Sequence, residues 1–268
     1  MIQIAKLKIL CPVCGKPDGC LVAEEGTAAI CSRVSEGSIR KVGKGPFAGG
    51  WLHILGDFES KKYEVPPKPH INWNRIAVRC ARVLSEHREE FSSFCQLTKI
   101  NPISALRFFI GYYDGWITIP MYGRNKRISG IQKRKGPLKR HMEYSDMGVF
   151  IPASFFQYQC KTLAVCEGWS DTLTACEYGF NAIGKMNAFV GDDLVLLYAK
   201  EIKCKKVILF ADNNENGVGL DGANDTASLL EKGGFPTKIV LTPEKDLREC
   251  KLRGMTLRQI INGDHNDT

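Results

Sequence analysis

The sequence predicts an α/β protein: a small cysteine-rich β unit, a helical connector, a strand-rich basic subdomain, and a C-terminal parallel sheet flanked by helices. Three observations carry that expectation. Four of the eleven cysteines fall within the first 31 residues. A cluster of prolines, Pro66, Pro67 and Pro69, then interrupts the chain. Beyond Lys161, short apolar runs alternate with amphipathic ones, as strands and helices do in a doubly wound sheet. These shifts place boundaries at 1–57 for the β unit, 58–72 for a linker, 73–110 for the connector, 111–160 for the basic subdomain and 161–268 for the parallel-sheet domain.

In the first unit, Cys20-Leu21-Val22-Ala23, Ala28-Ala29-Ile30-Cys31 and Trp51-Leu52-His53-Ile54-Leu55 read as short strands separated by glycine-rich turns. So few large apolar side chains need a staple. Cys11-Pro12-Val13-Cys14-Gly15 supplies one, because two thiolates three positions apart can share a Zn2+ while the glycine lets the chain turn beneath them. Cys31 is a third ligand, and the fourth is Cys20 or His53. Val34 stands where a second Cys-x-x-Cys would end. Seven later cysteines, Cys80, Cys95, Cys160, Cys166, Cys176, Cys204 and Cys250, stand singly in apolar patterns and read as small core residues.

The proline-rich stretch from Glu59 to His70 reads as an extended, semi-rigid linker. Asn72 then caps a helix whose apolar positions, from Ile76 through Phe94, keep a 3.6-residue period to about Cys95. Asn101-Pro102 opens a second, short helix. Trp116–Met121 and Ile128–Gln132 read as strands around a polar turn. A basic run follows, with Lys133, Arg134, Lys135, Lys139 and Arg140 placed to meet the phosphates of a nucleic acid, and Trp116 and Tyr144 able to stack on bases.

In the last part, Leu163–Cys166, Asn181–Ile183, Lys206–Ala211 and Thr237–Leu241 read as strands, with helices over Ser170–Tyr178, Leu194–Ala199 and Gly222–Glu231. Glu167-Gly168-Trp169-Ser170-Asp171 ends the first core strand, and Asp212-Asn213-Asn214-Glu215 ends a later one. Ligands of open α/β sheets bind outside the carboxyl ends of strands, so these acidic turns converge. Converging carboxylates repel unless a cation sits between them, and Mg2+ is hard, oxygen-seeking and a bridge to phosphates. Gly168 is expected to let the backbone approach closely.

Composition fits a soluble globular protein with a polyanionic partner. Lys and Arg number 37 against 29 Asp and Glu, a net charge of +8. No secretory signal opens the chain, no apolar run is long enough to span a membrane, and no P-loop is present. The expectation is a cytoplasmic protein without a motor of its own.

Cys11 to Asp18 together with Ala29 to Val34 resembles the zinc ribbon of phage and mobile-element primases, which helps select the template sequence. The acidic turns resemble the TOPRIM domain of bacterial and phage primases, topoisomerases and related nucleases, over about residues 161–250. On that resemblance, Glu167 matches the family's glutamate, a metal ligand or general acid/base. Asp171 matches the acid of the longer primase motif, Asp212 the first aspartate, and Asp246 a further acidic position. Asn214 stands where a second aspartate is expected, a departure that removes one charge and leaves Glu215 or Asp246 to compensate. The resemblance implies Mg2+ or Mn2+ held by Glu167, Asp212 and Asn214, and a catalytic set of Glu167, Asp171, Asp212, Asn214 and Asp246. It implies template-directed synthesis of short RNA primers on single-stranded DNA from nucleoside triphosphates, beside a separate replicative helicase. The rival expectations are a TOPRIM nuclease and a non-catalytic single-stranded-DNA-binding replication factor.

Overall fold

The computed structural model describes residues 1–42, 50–56, 68–157, 159–215 and 217–263. It divides into two compact units, Met1–His70 and Ile71–Thr268. Most of the expected linker, including Pro66 and Pro67, lies outside the described residues.

The first unit holds β1 (Ile2–Gln3), α1 (Ile4–Leu7), β2 (Leu21–Val22), β3 (Ala28–Cys31), β4 (Arg40–Lys41) and β5 (Trp51–Ile54). Its strands form one antiparallel sheet in the order β1-β2-β3-β5-β4. Its buried apolar set is small: Ile4 and Val22 pack with Cys11, Cys20 and Cys31. With Leu21, three large aliphatic side chains are buried among the described residues of this unit, well short of the core an independent unit needs, which points to a metal as the missing staple.

The second unit opens with α2 (Trp73–Leu84), α3 (Arg88–Thr98) and α4 (Pro102–Leu106). The single helix expected through Cys95 is two. After Leu84 the backbone tightens: Ser85 N–H bonds to Arg82 O and His87 N–H to Leu84 O, three residues back rather than four. Glu89 and Glu90 then sit in the first turn of α3, where the helix dipole favours negative charge. The break brings Leu84 from one helix and Phe94 and Cys95 from the next into one core. Asn101 caps α4, its side-chain oxygen accepting from Ile103 N at 2.9 Å and Ser104 N at 3.3 Å.

An antiparallel sheet follows, β6 (Gly111–Tyr113), β7 (Trp116–Tyr122), β8 (Ile128–Lys135) and β9 (Leu138–His141), paired in chain order. The basic run is therefore a hairpin: β8 continues to Lys135 and β9 returns along it, pairing Lys133 with Arg140 and Arg134 with Lys139.

The remainder alternates: β10 (Thr162–Glu167), α5 (Gly168–Glu177), β11 (Asn181–Lys185), α6 (Asp192–Glu201), β12 (Lys206–Ala211), α7 (Val218–Lys232), β13 (Thr237–Leu241), α8 (Leu247–Leu252) and α9 (Leu257–Asn262). The strands are all parallel, in the order β11-β10-β12-β13. Leu163-Ala164-Val165-Cys166 and Val207-Ile208-Leu209-Phe210 are continuously apolar because both sheet faces are covered. Leu163, Val165, Val207 and Leu209 pack against α6 and α7; Ala164, Cys166, Ile208 and Phe210 pack toward α5, α8 and α9. Truncating fully buried Leu163 to Ala is expected to cost about 2–5 kcal/mol, transfer and cavity together. Among the later cysteines, Cys80, Cys95, Cys166, Cys204 and Cys250 are buried and Cys160 and Cys176 half-buried, all as free thiols. The two sheets of this unit are tied by Tyr198 of α6, whose buried hydroxyl donates to Gly123 O at 2.5 Å. No helix among the described residues is long and apolar enough to cross a membrane.

Candidate functional site

In the first unit, turns around Cys11–Lys16 and strand β3 bring Cys11, Cys14, Cys20 and Cys31 together, with every ligand atom within 4.8 Å of the others. Sγ of Cys20 lies 3.8 Å from that of Cys14 and 3.9 Å from that of Cys31. A disulfide would need about 2.05 Å. Four thiolates at about 2.3 Å from a tetrahedral Zn2+ stand roughly 3.8 Å apart, so the separations fit a four-cysteine zinc site. Backbone N–H groups of Ser32, Arg33 and Val34 point at these sulfurs, at 3.5 Å to Cys20 and at 3.4 and 3.3 Å to Cys31. Burial pushes the Cys11 thiol up to about 12. Against its own burial, Cys14 is drawn down to about 7 by the backbone at Lys16, the neighbouring thiols and the Arg33 guanidinium. Arg33 itself pairs with Asp18 and lies 3.7 Å from the Cys20 sulfur.

The open choice of fourth ligand is thereby resolved in geometry. His53 is buried on β5, but its Nε2 bonds to Val34 O at 2.9 Å and it does not join the group. The alternation of β5 turns His53 into the sheet's packing, while Cys20, just before β2, reaches the knuckle.

The second cluster lies at the carboxyl ends of β10 and β12. These strands are adjacent and parallel, so Glu167, the last residue of β10, and Asp212, the first after β12, come to one place. Gly168 has φ 78°, a left-handed conformation that starts α5 directly after Glu167. A side chain there would meet no atom within 4 Å, so Gly168 serves the turn rather than a close approach. The close approach is at Gly184 of β11, where a Cβ would lie 2.6 Å from Gly168 O.

Asp171, one turn into α5, is buried, with Oδ1 accepting from Arg248 N at 2.9 Å. Burial and then Asp246 raise its proton affinity. Asp212 is pushed up to about 8, by burial first and then by Asp171, Glu167 and Asp246. Glu167 is raised by burial, opposed by Lys185 and Lys139. Asp246 has a structural task of its own: it caps α8, accepting from Glu249 N at 2.7 Å. Asn214 is half-buried, its N–H bonded to Asp212 O, beside an open concavity of about 600 Å³ lined by Asn213, Asn214, Glu215 and Lys245. The carboxylates thus share a region and repel one another. Among the described residues, however, only the four cysteines close to within 4.8 Å as a group of three or more.

The basic residues do not form one ridge. Paired residues of an antiparallel hairpin share a face and successive ones alternate. Arg134 and Lys139 lie on the face toward the parallel sheet, where Lys139 Nζ donates to Met186 O at 3.2 Å. Arg134 is lowered by burial and by Arg248, and the buried Nε atoms of both arginines have no hydrogen-bond partner. Lys133 and Arg140 lie on the other face, over the Trp116 ring at 5.2 and 5.7 Å. Tyr144 is exposed in a left-handed turn.

One residue escaped the sequence reading. Lys185 ends β11 in register with Glu167 and is only 5% exposed. Its ammonium donates to Ala188 O and Thr226 Oγ1, both at 2.6 Å, and pairs with Asp192 Oδ1 at 2.5 Å. A lysine closing an apolar strand is easily taken for its solvated end, and its partners are scattered over three elements.

No family model matches the chain. No curated protein matches it. Solved structures do. The chain resembles the Aquifex aeolicus primase (zinc-binding and RNA polymerase domains) with TM-score 0.55 and 18% identity, over 75% of this chain and 64% of that one. It therefore spans less than two thirds of that chain's length. It resembles the DnaG primase catalytic domain bound to single-stranded DNA with TM-score 0.54 and 13% identity, over 68% and 76%. It resembles the E. coli primase catalytic core with TM-score 0.52 and 13% identity, over 70% and 81%. The second unit therefore shares its fold with these primase cores, and the chain carries ahead of it a four-cysteine cluster whose geometry fits zinc.

Proposed function

We propose that this chain is a primase that makes short RNA primers on single-stranded DNA from nucleoside triphosphates. The observation that carries the reading is the convergence of Glu167, Asp171 and Asp212 at the ends of adjacent parallel strands, where burial raises the proton affinity of all three and the charges of Asp171 and Glu167 raise that of Asp212 further, a setting that favours a bound cation. Glu167, Asp212 and Asn214 are the residues that would hold Mg2+ or Mn2+, which when bound would offset the charge of a transferring phosphoryl group and favour ionisation of a primer 3′-hydroxyl. Arg134 and Lys139 face the same region and neutralise phosphates. Lys133, Lys135 and Arg140 extend the binding surface to the outer side of the hairpin. Asp246 holds α8 and, through its charge, adds to the affinity of the acidic site. The zinc unit contributes to template selection, and unwinding falls to a separate helicase.

The test is incubation of the full chain with single-stranded DNA, the four ribonucleoside triphosphates and Mg2+ or Mn2+. Template-dependent oligoribonucleotides support the proposal. Cut DNA would assign the same carboxylates to a nuclease, and binding without product would assign the chain to a replication factor that does not catalyse.

A further inference from the structure

The turn between β11 and α6 is held unusually firmly for a loop, and it presents an aromatic ring. Met186 and Ala188 are buried, while Phe189 between Ala188 and Val190 is 41% exposed. The turn is closed by a bridge between Asn187 and Val190 and by Phe189 N donating to Asn187 Oδ1 at 2.9 Å. Lys185 clamps Ala188 O and ties it to Asp192 of α6 and Thr226 of α7. Lys139 grips Met186 O from the hairpin. Ala188 also sits directly on α7, where a Cβ at Gly222 would come within 2.4 Å of Ala188 O. Asn187 and Ala188 line the same crevice as Glu167 and Asp212. Scattered exposed apolar side chains are ordinary on proteins. This one directly follows Asn187 and Ala188, which share a lining with Glu167 and Asp212, and cationic Lys139 contacts the start of its turn at Met186 O.

We propose that Phe189 is a stacking platform for a nucleobase bound at the acidic strand ends, and that Lys185 is the positioning residue that holds its turn. This rests on the primase reading. A π face accepts any base, so the platform fits template-directed chemistry, in which pairing and not the protein chooses the base. The ligand chemistry is a nucleobase carrying phosphate, from either a single strand or a free nucleoside triphosphate. A turn whose backbone is held before the ligand arrives loses little freedom on binding, which is what the buried ammonium contributes.

The test uses the full chain. Binding of a labelled oligodeoxynucleotide is followed by anisotropy, and binding of ATP with Mg2+ by tryptophan fluorescence. Phe189→Trp should show quenching beyond that of the wild-type tryptophans with at least one of the two ligands, and which one identifies the stacked base. Phe189→Ala and Phe189→Leu should weaken that ligand on the order of 10-fold, while Phe189→Tyr should not. Lys185→Met, or the milder Thr226→Val if the first fails to fold, should weaken the same ligand and add nothing to Phe189→Ala in the double variant. Fully additive losses would overturn the role given to Lys185. Unchanged binding in Phe189→Ala, with no added quenching in Phe189→Trp, would overturn the platform while leaving the primase reading standing. A wild-type chain that binds neither ligand would overturn the primase reading itself.

Discussion

Replacing Asp212 by Asn should stabilise the core while removing activity. Asp212 sits among Asp171, Glu167 and Asp246, and burial with their charges pushes it from an ordinary 3.8 up to about 8. In the native state it therefore binds a proton more tightly than in the unfolded chain. Its contribution to stability is fully present below about pH 4 and is lost as pH rises through about 8, because there the native state must carry the charge. A displacement of that size sets an upper bound on the order of 5 kcal/mol. Relaxation and water around a half-buried group bring the expected gain to about 1–3 kcal/mol. Asp212→Asn keeps the side chain's size and omits the charge, so its advantage over wild type should be small near pH 5 and reach its plateau above pH 8. The assay is calorimetric unfolding of both proteins from pH 5 to 8.5 in buffer without added Mg2+. For a core of this size, a gain of 1–3 kcal/mol should raise Tm by several degrees at pH 8. Added Mg2+ should raise the wild-type Tm and not that of the variant. An Asp212→Asn protein that is less stable than wild type across this range would refute the reasoning, since the carboxylates would then not be repelling one another.

Freshly prepared protein should carry about one Zn2+ per chain by elemental analysis; Cys20→Ser should lose it and His53→Ala should keep it, with the second unit still folded in both. Glu167→Gln should abolish nucleotidyl transfer while leaving anisotropy-measured strand binding intact, because it deletes a charge and conserves volume. Asn214→Asp should shift the Mg2+ concentration for half-maximal activity, since it restores a third carboxylate; an unchanged titration would place Asn214 away from the metal. Neutralising Arg134 and Lys139, or separately Lys133 and Arg140, should each lower the log–log salt slope of single-strand binding by about 0.7 per lost phosphate contact. If only one pair moves the slope, the strand runs along that face of the hairpin alone.

How much of this was legible beforehand differs from element to element. The alternation of buried strands and amphipathic helices from Lys161 onward was plain, because a parallel strand covered on both faces must be continuously apolar and a helix must repeat every 3.6 residues. The Cys11-x-x-Cys14 knuckle was plain for a similar reason, since its ligand spacing is set by local backbone geometry. The helix through Cys95 was misread because periodicity survives a three-residue break: Ser85–His87 turn the chain while keeping both apolar faces on one core. The convergence of Glu167 with Asp212 followed from strand adjacency, a general rule of such sheets, but their mutual distances did not.

By itself, then, the sequence determined the order of the parts, the class of each sheet and the residue types available at the strand ends, all properties encoded in neighbours along the chain. Only the tertiary structure decided matters between distant residues. It gave the fourth place in the thiolate cluster to Cys20 by bonding His53 to Val34 O. It divided the basic run between two faces, because a hairpin pairs Arg134 with Lys139 and Lys133 with Arg140. It set Lys185 as a buried clamp, since Ala188, Asp192 and Thr226 meet only when α6 and α7 pack on the sheet. The physical reason is common to all three: a side chain's partner is chosen by register and packing across the fold, and neither leaves a period or a spacing in the sequence.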